Sequence, residues 1–234
     1  TYNAAQIATP IALAVSGNSP VFCGHRLWEE TRVALFKQAL DVRDLVEQTW
    51  RPPARVSFGH GWVRRGAYEL FAESVSVFPP ILPLVGDEDS MAIARSGGCP
   101  RLEELRLQQG TVWRWNRAIY DPGDGGHLRI EMRALAAGPT PLDMVANAAF
   151  LLGLTMALRD EVDALMSAFP FEYAEWNFYR AAQRGLDARL LWPSTVAPSP
   201  MPVSARAMVS RFLPDAARGL EMLGVDDDEV RRLM

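Results

Sequence analysis

The segment from Leu128 to Leu135 carries residue types that act in carboxylate and phosphoryl chemistry. Its apolar and charged residues alternate strictly, which predicts a strand. Alternation with period two places Arg129, Glu131 and Arg133 on one face. Glu131 and Arg133 are then about 7 Å apart, and a carboxylate can bind Mg²⁺ while an arginine neutralises a transferring phosphoryl group. The alternative interpretation is a solvated strand face with cross-strand ion pairs.

A partner strand precedes this segment. Residues 110–120 are rich in β-branched and aromatic side chains, and the sequence Asp-Pro-Gly-Asp-Gly-Gly follows at positions 121–126. This pattern predicts an antiparallel pair joined by a turn. Arg117 shares a face with Trp113 and Trp115, and such an aromatic face either belongs to a core or stacks a planar ligand.

Three more polar residues are candidates for ligand binding, and each has a structural alternative. Arg32 falls inside the apolar stripe of a helix predicted from Trp28 to Val46, so its charge must either extend to solvent or meet an anion. Asn18 begins an Asn-Ser-Pro sequence that is typical of a turn. Arg180 lies on a helix predicted from Phe171 to Leu191, where a solvated side chain is the default interpretation.

Several common catalytic motifs are absent from the sequence. It contains no P-loop, dinucleotide-binding, esterase or zincin motif. The three histidines, at positions 25, 60 and 127, have no metal-binding spacing, and Cys23 and Cys99 form neither a disulfide framework nor a CxxC pair. The candidate residues that remain after these exclusions are arginines and carboxylates, and they favour chemistry by those groups.

Composition excludes several classes of partner. The 234 residues carry a net charge of -4, which gives no overall basic field for a nucleic acid. The longest apolar stretch, from Met144 to Leu158, is interrupted by Asn147 and is shorter than a membrane span. We therefore predict a soluble protein that binds neither nucleic acid nor membrane, and the sparse cysteines predict a reducing, cytoplasmic compartment.

The remaining patterns predict an α+β fold. Predicted elements are a helix over 2–15, a short helix over 68–77, an exposed loop over 86–100, a long buried helix from a capping box at Thr140 to Leu158, and a final helical segment broken at Pro214 and ended by Gly224. We predict a sheet-and-helix portion over 1–193, a proline-rich linker over 194–202, and a C-terminal helical segment of the same domain over 203–234.

The motifs, taken in order, resemble those of the bacterial glutamate-cysteine ligase family, the carboxylate-amine ligases of the second type. The resemblance lies in Asn18-Ser19-Pro20 with Gly24 and Arg32, and in the segments 110–117, 128–133, 138–147, 176–188 and 213–225. It covers most of the chain, and the ordered combination is more specific than any one motif.

The resemblance implies a glutamine-synthetase-like fold, in which an antiparallel sheet forms a funnel for ATP, Mg²⁺ and glutamate and is backed by helices. It also implies a γ-glutamyl phosphate that an amine such as cysteine attacks, as in glutathione biosynthesis. The implied roles are metal ligand for Glu131, catalytic contact to the phosphoryl group or γ-carboxyl for Arg133, catalytic and carboxylate-holding contact for Arg117, and substrate binding for Arg32, Asn18 and Arg180.

Two departures from the family pattern qualify this expectation. The acidic first strands that supply further metal ligands are absent, so the chain resembles a C-terminal portion, and Glu131 alone cannot hold catalytic Mg²⁺. Met132 and Gln108-Gln109 stand where many members carry histidine, which leaves the amine open. The alternative is a non-catalytic binding or interaction module on the same scaffold. A homo-oligomer is compatible with either interpretation.

Overall fold

A computed structural model describes residues 1–44, 46, 53–194 and 196–234. The described helices are α1 (Tyr2–Ser16), α2 (Thr31–Ala39), α3 (Tyr68–Val77), α4 (Ser90–Arg95), α5 (Glu103–Thr111), α6 (Pro141–Leu158), α7 (Val162–Ala168), α8 (Phe171–Arg184), α9 (Ala205–Met222) and α10 (Asp227–Leu233). The described strands are β1 (Val21–Phe22), β2 (His25–Arg26), β3 (Val56–Ser57), β4 (Trp113–Arg114), β5 (Asn116–Asp121), β6 (His127–Met132), β7 (Arg189–Trp192) and β8 (Met201–Ser204).

The α+β class predicted from the sequence is confirmed. The described strands pair in twos: β1 with β2, β5 with β6, and β7 with β8 are antiparallel, while β3 and β4 are parallel. The wider glutamine-synthetase-like sheet and the proposed division at 193 and 202 stay predictions. By contacts, the chain divides into unit 1 (Thr1–Gln38, His60–Trp62 and Ala134–Met234) and unit 2 (Ala39–Gly59 and Val63–Arg133).

Unit 1 is built around α1. This helix packs against α6, α8 and α9, and Ala4, Ala8 and Leu13 are completely buried. A helix that is apolar on all sides belongs in a core, which agrees with the helix predicted over 2–15. Its buried hydroxyl at Thr9 donates to the Ala5 carbonyl at 2.7 Å, so the interior position leaves that group satisfied.

Helix α6 begins as its sequence predicts. The Thr140 Oγ1 accepts a hydrogen bond from the Asp143 N–H at 3.2 Å, and the Asp143 Oδ2 accepts one from the Thr140 N–H at 3.0 Å. Pro141 occupies the first helical turn, where its missing N–H costs nothing. The capping box and the helix end at Leu158 are both confirmed.

Helices α6 and α9 approach each other through glycine. A Cβ placed on Gly153 would lie 2.1 Å from the Ala216 carbonyl oxygen, and one on Gly219 would lie 1.8 Å from the Gly153 carbonyl oxygen. Neither distance is compatible with any side chain, so the two backbones are in direct contact. Glycine is required at both positions by this close approach.

Helix α9 runs through Pro214, so the predicted break there is wrong. The face that carries Met208, Phe212 and Leu220 is buried along the whole helix, and this packing outweighs the one backbone hydrogen bond that proline cannot donate. The helix ends as predicted near Gly224, whose positive φ of 79° suits glycine.

Helix α8 is shorter than predicted. It ends at Arg184 instead of Leu191, because Gly185 adopts a φ of 52° and turns the chain. Residues 189–192 then form β7, which pairs with β8. The buried Asn177 holds β7 against α8, since its amide donates to the Leu191 carbonyl at 2.8 Å and accepts from the Leu191 N–H at 2.7 Å.

Helix α2 is also shorter than the predicted span from Trp28 to Val46. Residues 40–44 are not helical, and Val42 and Val46 are 81% and 68% exposed, so the predicted apolar stripe is wrong at its C-terminal end. Leu45 of that span, and part of the Pro- and Arg-rich stretch that follows, lie outside the described residues. The start differs too, because Ser19 pairs with Glu30 in an isolated bridge and Glu30 is buried.

One described helix, Pro141–Leu158, has the length and composition of a membrane span. The sequence stretch judged too short begins at Met144, and the cap extends the helix to 18 residues. Only 39% of this span is buried, so the predicted burial is wrong for its first half, where Leu142, Met144 and Val145 are exposed, and holds for most of the second half, which packs against α1 and α9. One such helix is weak evidence for a membrane segment.

Unit 2 places α3 and α5 against each other, with α5 next to β5. The helix predicted over 68–77 is confirmed as α3. The segment 86–100, predicted to be an exposed loop, is largely exposed but contains α4, because the Asp89 side chain accepts from the Ala92 N–H at 2.9 Å and caps that helix.

A carboxylate anchors the turn between α4 and α5. Glu88 accepts hydrogen bonds from the N–H groups of Arg101 at 2.9 Å and Leu102 at 3.2 Å and from the Ser90 hydroxyl at 2.8 Å. These bonds, led by the one from Arg101, lower the pKa of Glu88 to about 2. The ionised form is therefore the one that stabilises the fold.

We expect Glu88→Gln to lower the thermal midpoint at pH 7 and to lose this effect in acid. Because the folded pKa lies below the usual glutamate pKa of 4.5, the stability advantage of the wild type is complete above that pH and disappears as the pH falls through about 2. Thermal unfolding of both proteins between pH 7 and pH 3 measures how the difference between their thermal midpoints decreases. Asp87→Asn, at an exposed neighbour, is the matched control and should show little difference; a gap for Glu88→Gln that does not change with pH would contradict the prediction.

Candidate active site

The charged hairpin predicted from the sequence is present in unit 2. Strands β5 and β6 are antiparallel with Arg117 directly opposite Glu131, and the Arg133 N–H donates to the Trp115 carbonyl at 2.8 Å, just past the end of β6. The predicted strand from position 110 is partly wrong, since α5 covers residues up to Thr111 and Trp113–Arg114 form β4, which pairs in parallel with β3 and not with β6. That helix was missed because its β-branched and aromatic neighbours favour a strand.

Glu131 forms ion pairs with two arginines. Its Oε2 lies 2.9 Å from the Nε of Arg117 and 2.7 Å from the Nη2 of Arg133. The Nε of Arg133 is also 2.7 Å from this oxygen. The prediction that Glu131 and Arg133 project from one face is therefore confirmed, and the cross-strand ion pair of the alternative interpretation is present as well.

The two tryptophans of this region have different surroundings: one lies in the core and the other stacks on an arginine. Trp115 is completely buried, as a core residue would be. The guanidinium carbon of Arg133 lies 3.8 Å from the centre of the Trp113 ring, which is the geometry of a cation–π contact. Arg133 is thus fixed by Trp113 on one side and by Glu131 on the other, and its side chain is 12% exposed.

The Arg117 guanidinium carries an electrostatic cost in the folded protein. Burial lowers its pKa, and the positive charge of Arg133 lowers it further, while Glu131 raises it. An arginine stays protonated under such shifts, so the cost remains in the folded protein. A bound anion near Arg117 would offset that cost, which makes this position a natural receptor for a carboxylate or phosphate.

A cavity of about 320 Å³ opens beside this pair, which we name the arginine cavity. Its lining includes three arginines and two carboxylates: Arg106, Arg117, Arg129, Asp121 and Glu131. Arg129 and Asp121 form an exposed ion pair at 2.6 Å, and the remaining positive charge suits an anionic ligand of modest size.

Sequence reasoning missed Arg106 and Gln109 as lining residues. Both lie on α5, which is next to β5. Because a strand was predicted from position 110, this helix was not predicted. The two acidic residues at 103 and 104, which favour a helix N-terminus, were the signal that could have revealed it.

Two predicted substrate-binding residues, Asn18 and Arg32, bind backbone in unit 1. The Nη2 of Arg32 donates to the carbonyl oxygens of Ala134 at 3.0 Å and Leu135 at 3.2 Å, and the Asn18 amide donates to the Ala137 carbonyl at 2.8 Å. The buried Glu30 accepts from the Nε of Arg32 at 2.9 Å and from the Asn18 N–H at 3.3 Å. This network fixes the segment 134–137 against the start of α2.

Arg180 lies on α8, also in unit 1. Its guanidinium carbon is 5.9 Å from the centre of the Trp176 ring, and its Nη1 is 3.3 Å from the side-chain oxygen of Gln183. These are contacts within one helix surface. The structure therefore brings Arg117, Glu131 and Arg133 together in unit 2 and places Asn18, Arg32 and Arg180 in unit 1.

The described residues do not fit a Mg²⁺ ion. Within the part of the chain that the structure describes, no three His, Cys, Asp or Glu side chains are grouped as metal ligands. Glu131, the predicted ligand, is already paired with two arginines through one oxygen. Magnesium requires near-octahedral oxygen coordination, which one such carboxylate cannot supply.

Comparison with known proteins gives one family. The family model described as glutamate-cysteine ligase family 2 (GCS2) matches residues 1–221. Neither a curated protein nor a solved structure matches the chain.

Proposed function

Because the chain belongs to glutamate-cysteine ligase family 2, we propose that it takes part in the ATP-dependent joining of the γ-carboxylate of glutamate to an amine. The observation that carries this proposal is the pairing of Arg117 and Arg133 with one oxygen of Glu131 at the edge of the arginine cavity. Small-molecule substrates follow from the family. Cysteine as the amine, a place in glutathione biosynthesis and a cytoplasmic location belong to the proposal.

In the proposed reaction, ATP supplies the phosphoryl group that activates the γ-carboxylate. The carboxylate oxygen attacks the γ-phosphorus and ADP leaves; the amine nitrogen then attacks the acyl carbon, phosphate leaves, and the amine loses a proton. Charge builds up on oxygen in both steps. Arg117, which lines the cavity, would neutralise that charge, and its planar fork can engage two oxygens at once.

Arg133 and Glu131 have supporting roles in this proposal. Glu131 holds the Nε of Arg117, and Arg133, fixed on Trp113, holds Glu131 from the other side. This arrangement orients the Arg117 fork before substrate binds, which lowers the cost of ordering it. Asn18 and Arg32 would act by holding the segment 134–137, and Arg180 is proposed as a substrate contact from the resemblance alone.

We propose further that Glu131 does not hold the Mg²⁺ that the family reaction is expected to use. Its two ion pairs with arginine support this, and the described residues contain no grouped set of carboxylates beside it. The same observation favours the second candidate function, a non-catalytic module that binds a glutamyl compound.

An activity assay combined with a binding measurement tests the proposed function, and turnover by the chain itself would exclude the non-catalytic module. We expect the chain by itself to form little or no γ-glutamyl amide from ATP, Mg²⁺, L-glutamate and cysteine, because one paired carboxylate cannot replace several oxygen ligands. Product mass measures this directly. Robust ATP-dependent product would show that the chain holds its own metal site. L-glutamate binding without turnover supports the proposed role, and the absence of both refutes it.

A further inference from the structure

A second cavity in unit 2, of about 710 Å³, is not used by the reaction described so far. We name it the apolar cavity. It lies between α3, the start of α5 and the β5–β6 hairpin, and its apolar lining includes Phe71, Val75, Leu102, Leu105 and Leu128. The volume falls within the range of small-molecule sites, which are mostly lined by hydrophobic side chains. A ligand that fills this space must therefore have an apolar body.

The polar groups on the wall of the apolar cavity carry no negative charge. The Tyr120 hydroxyl donates to the Pro100 carbonyl at 2.6 Å and lies 2.9 Å from the Sγ of Cys99. The hydrogen bond with Cys99 and burial raise the pKa of Tyr120 to about 12, so the phenol is neutral at physiological pH. The described lining contains neither Asp nor Glu, so the wall has no carboxylate that would bind a cation or repel an anion.

The apolar cavity adjoins the arginine cavity. Phe71, Leu105 and Tyr120 line both, so the two spaces share a wall of three side chains. Arg106 follows Leu105 on α5 and lines the arginine cavity. Its positive charge reaches the Tyr120 hydroxyl, because it opposes the rise in the pKa of that group. A guanidinium therefore lies close to the wall that the two cavities share.

Arg106 also carries the uncompensated charge of the arginine cavity. Of the arginines that line it, Arg117 is paired with Glu131 and Arg129 with Asp121. The Arg106 side chain is exposed and, among the residues that the structure describes, has neither a hydrogen bond nor an ion pair. An anion can bind there without first breaking an ion pair.

We propose that the two cavities together bind an amphipathic monocarboxylate, with its carboxylate at Arg106 and its aromatic or aliphatic body in the apolar cavity. The guanidinium fork can donate to both carboxylate oxygens, and the body gains free energy by leaving water. L-glutamate is not such a ligand, because it has no apolar body and its charged groups would lose hydration in the apolar cavity. The site therefore takes a molecule other than the substrates of the proposed reaction.

A ligand series on the full chain tests both ends of the site by isothermal titration. Hydrocinnamate is the probe, because it joins one carboxylate to a phenyl ring. We expect it to bind at least about tenfold more tightly than propionate, which lacks the ring, and than phenethylamine, which carries the same ring on an ammonium group. Binding of either comparison ligand as tightly as hydrocinnamate would overturn the proposal.

Substitution of Arg106 tests the charged end. We expect Arg106→Gln to weaken hydrocinnamate binding by about threefold to tenfold, and Arg106→Lys to weaken it less because the charge is kept. Arg95→Gln is the matched control, since Arg95 is an exposed helical residue of unit 2 outside both linings, and it should leave binding unchanged. Unchanged binding in Arg106→Gln would contradict the assigned position of the carboxylate.

Filling the cavity tests the apolar end. Ala72→Phe adds a ring at the lining of the apolar cavity, whereas Val77→Phe adds one to the same helix at a residue outside that lining. We expect the first to weaken hydrocinnamate binding at least about tenfold and the second to leave it unchanged. Circular dichroism checks folding, and if Ala72→Phe does not fold, the ligand series and the Arg106 variants decide.

Protection of a thiol locates the bound ligand, with an internal control. Cys99 lines the apolar cavity, whereas Cys23 is exposed in unit 1. We expect saturating hydrocinnamate to slow alkylation of Cys99 by iodoacetamide several-fold and to leave Cys23 unchanged, as measured by peptide mass. Protection of Cys99 by adenosine monophosphate but not by hydrocinnamate would assign the site to a nucleotide, and protection that rises with protein concentration alone would assign it to a second copy of the chain. Either result overturns the proposal.

Discussion

Arg117→Lys is expected to weaken the binding of L-glutamate to this chain by about 10- to 100-fold, the equivalent of about 1.5–3 kcal/mol for a charge-assisted bond. Lysine keeps the charge but loses the planar fork, so it cannot hold Glu131 and a substrate carboxylate together. Isothermal titration with L-glutamate measures the change. In an assembled ligase, the same variant should lower kcat more than it raises KM, because the contact strengthens as charge develops.

Two other arginines serve as matched comparisons for this result. Arg129→Lys changes an exposed ion pair at the edge of the arginine cavity and should cost less than about tenfold in binding. Arg133→Lys should lower both glutamate binding and the thermal midpoint, since the wild-type side chain is 12% exposed and stacks on Trp113. Unchanged glutamate binding in Arg117→Lys would remove Arg117 from the site and leave the hairpin as a purely structural ion-pair cluster.

Gly219→Ala is expected to destabilise unit 1 by about 3 kcal/mol or more. The added Cβ would sit 1.8 Å from the Gly153 carbonyl oxygen, and backbone cannot rotate away as a flexible side chain could. Helices α6 and α9 would therefore have to separate along their buried contact. Chemical unfolding followed by circular dichroism measures the loss, and Gly153→Ala should behave in the same way.

Gly110→Ala is the matched control for these substitutions. Gly110 lies within α5, and a Cβ there would meet nothing within 4 Å. The change should be neutral or stabilising by about 0.5–1 kcal/mol, because alanine loses less conformational freedom in a helix than glycine does. A Gly219→Ala protein as stable as the wild type would show that α6 and α9 do not pack backbone to backbone.

Local patterns in the sequence were sufficient where neighbouring residues decide the structure. The capping box at Thr140 fixes the start of α6, because its two reciprocal bonds join residues three positions apart. The alternation after Leu128 predicted β6 and the shared face of Glu131 and Arg133, since period two is a property of any strand. The family was likewise identified from ordered motifs along the chain, and the family match covers residues 1–221.

Distant residues decided the rest. Pro214 stays within α9 because buried packing against other helices outweighs a local preference that predicted a break. Arg32 donates to the carbonyl oxygens of Ala134 and Leu135, which lie 102 and 103 positions further along the chain. No spacing within α2 could have shown these partners. The two cavities of unit 2 form only when α3, α5 and the hairpin meet, so the roles of Phe71, Leu105 and Arg106 depend on tertiary contacts that the linear order of residues does not contain.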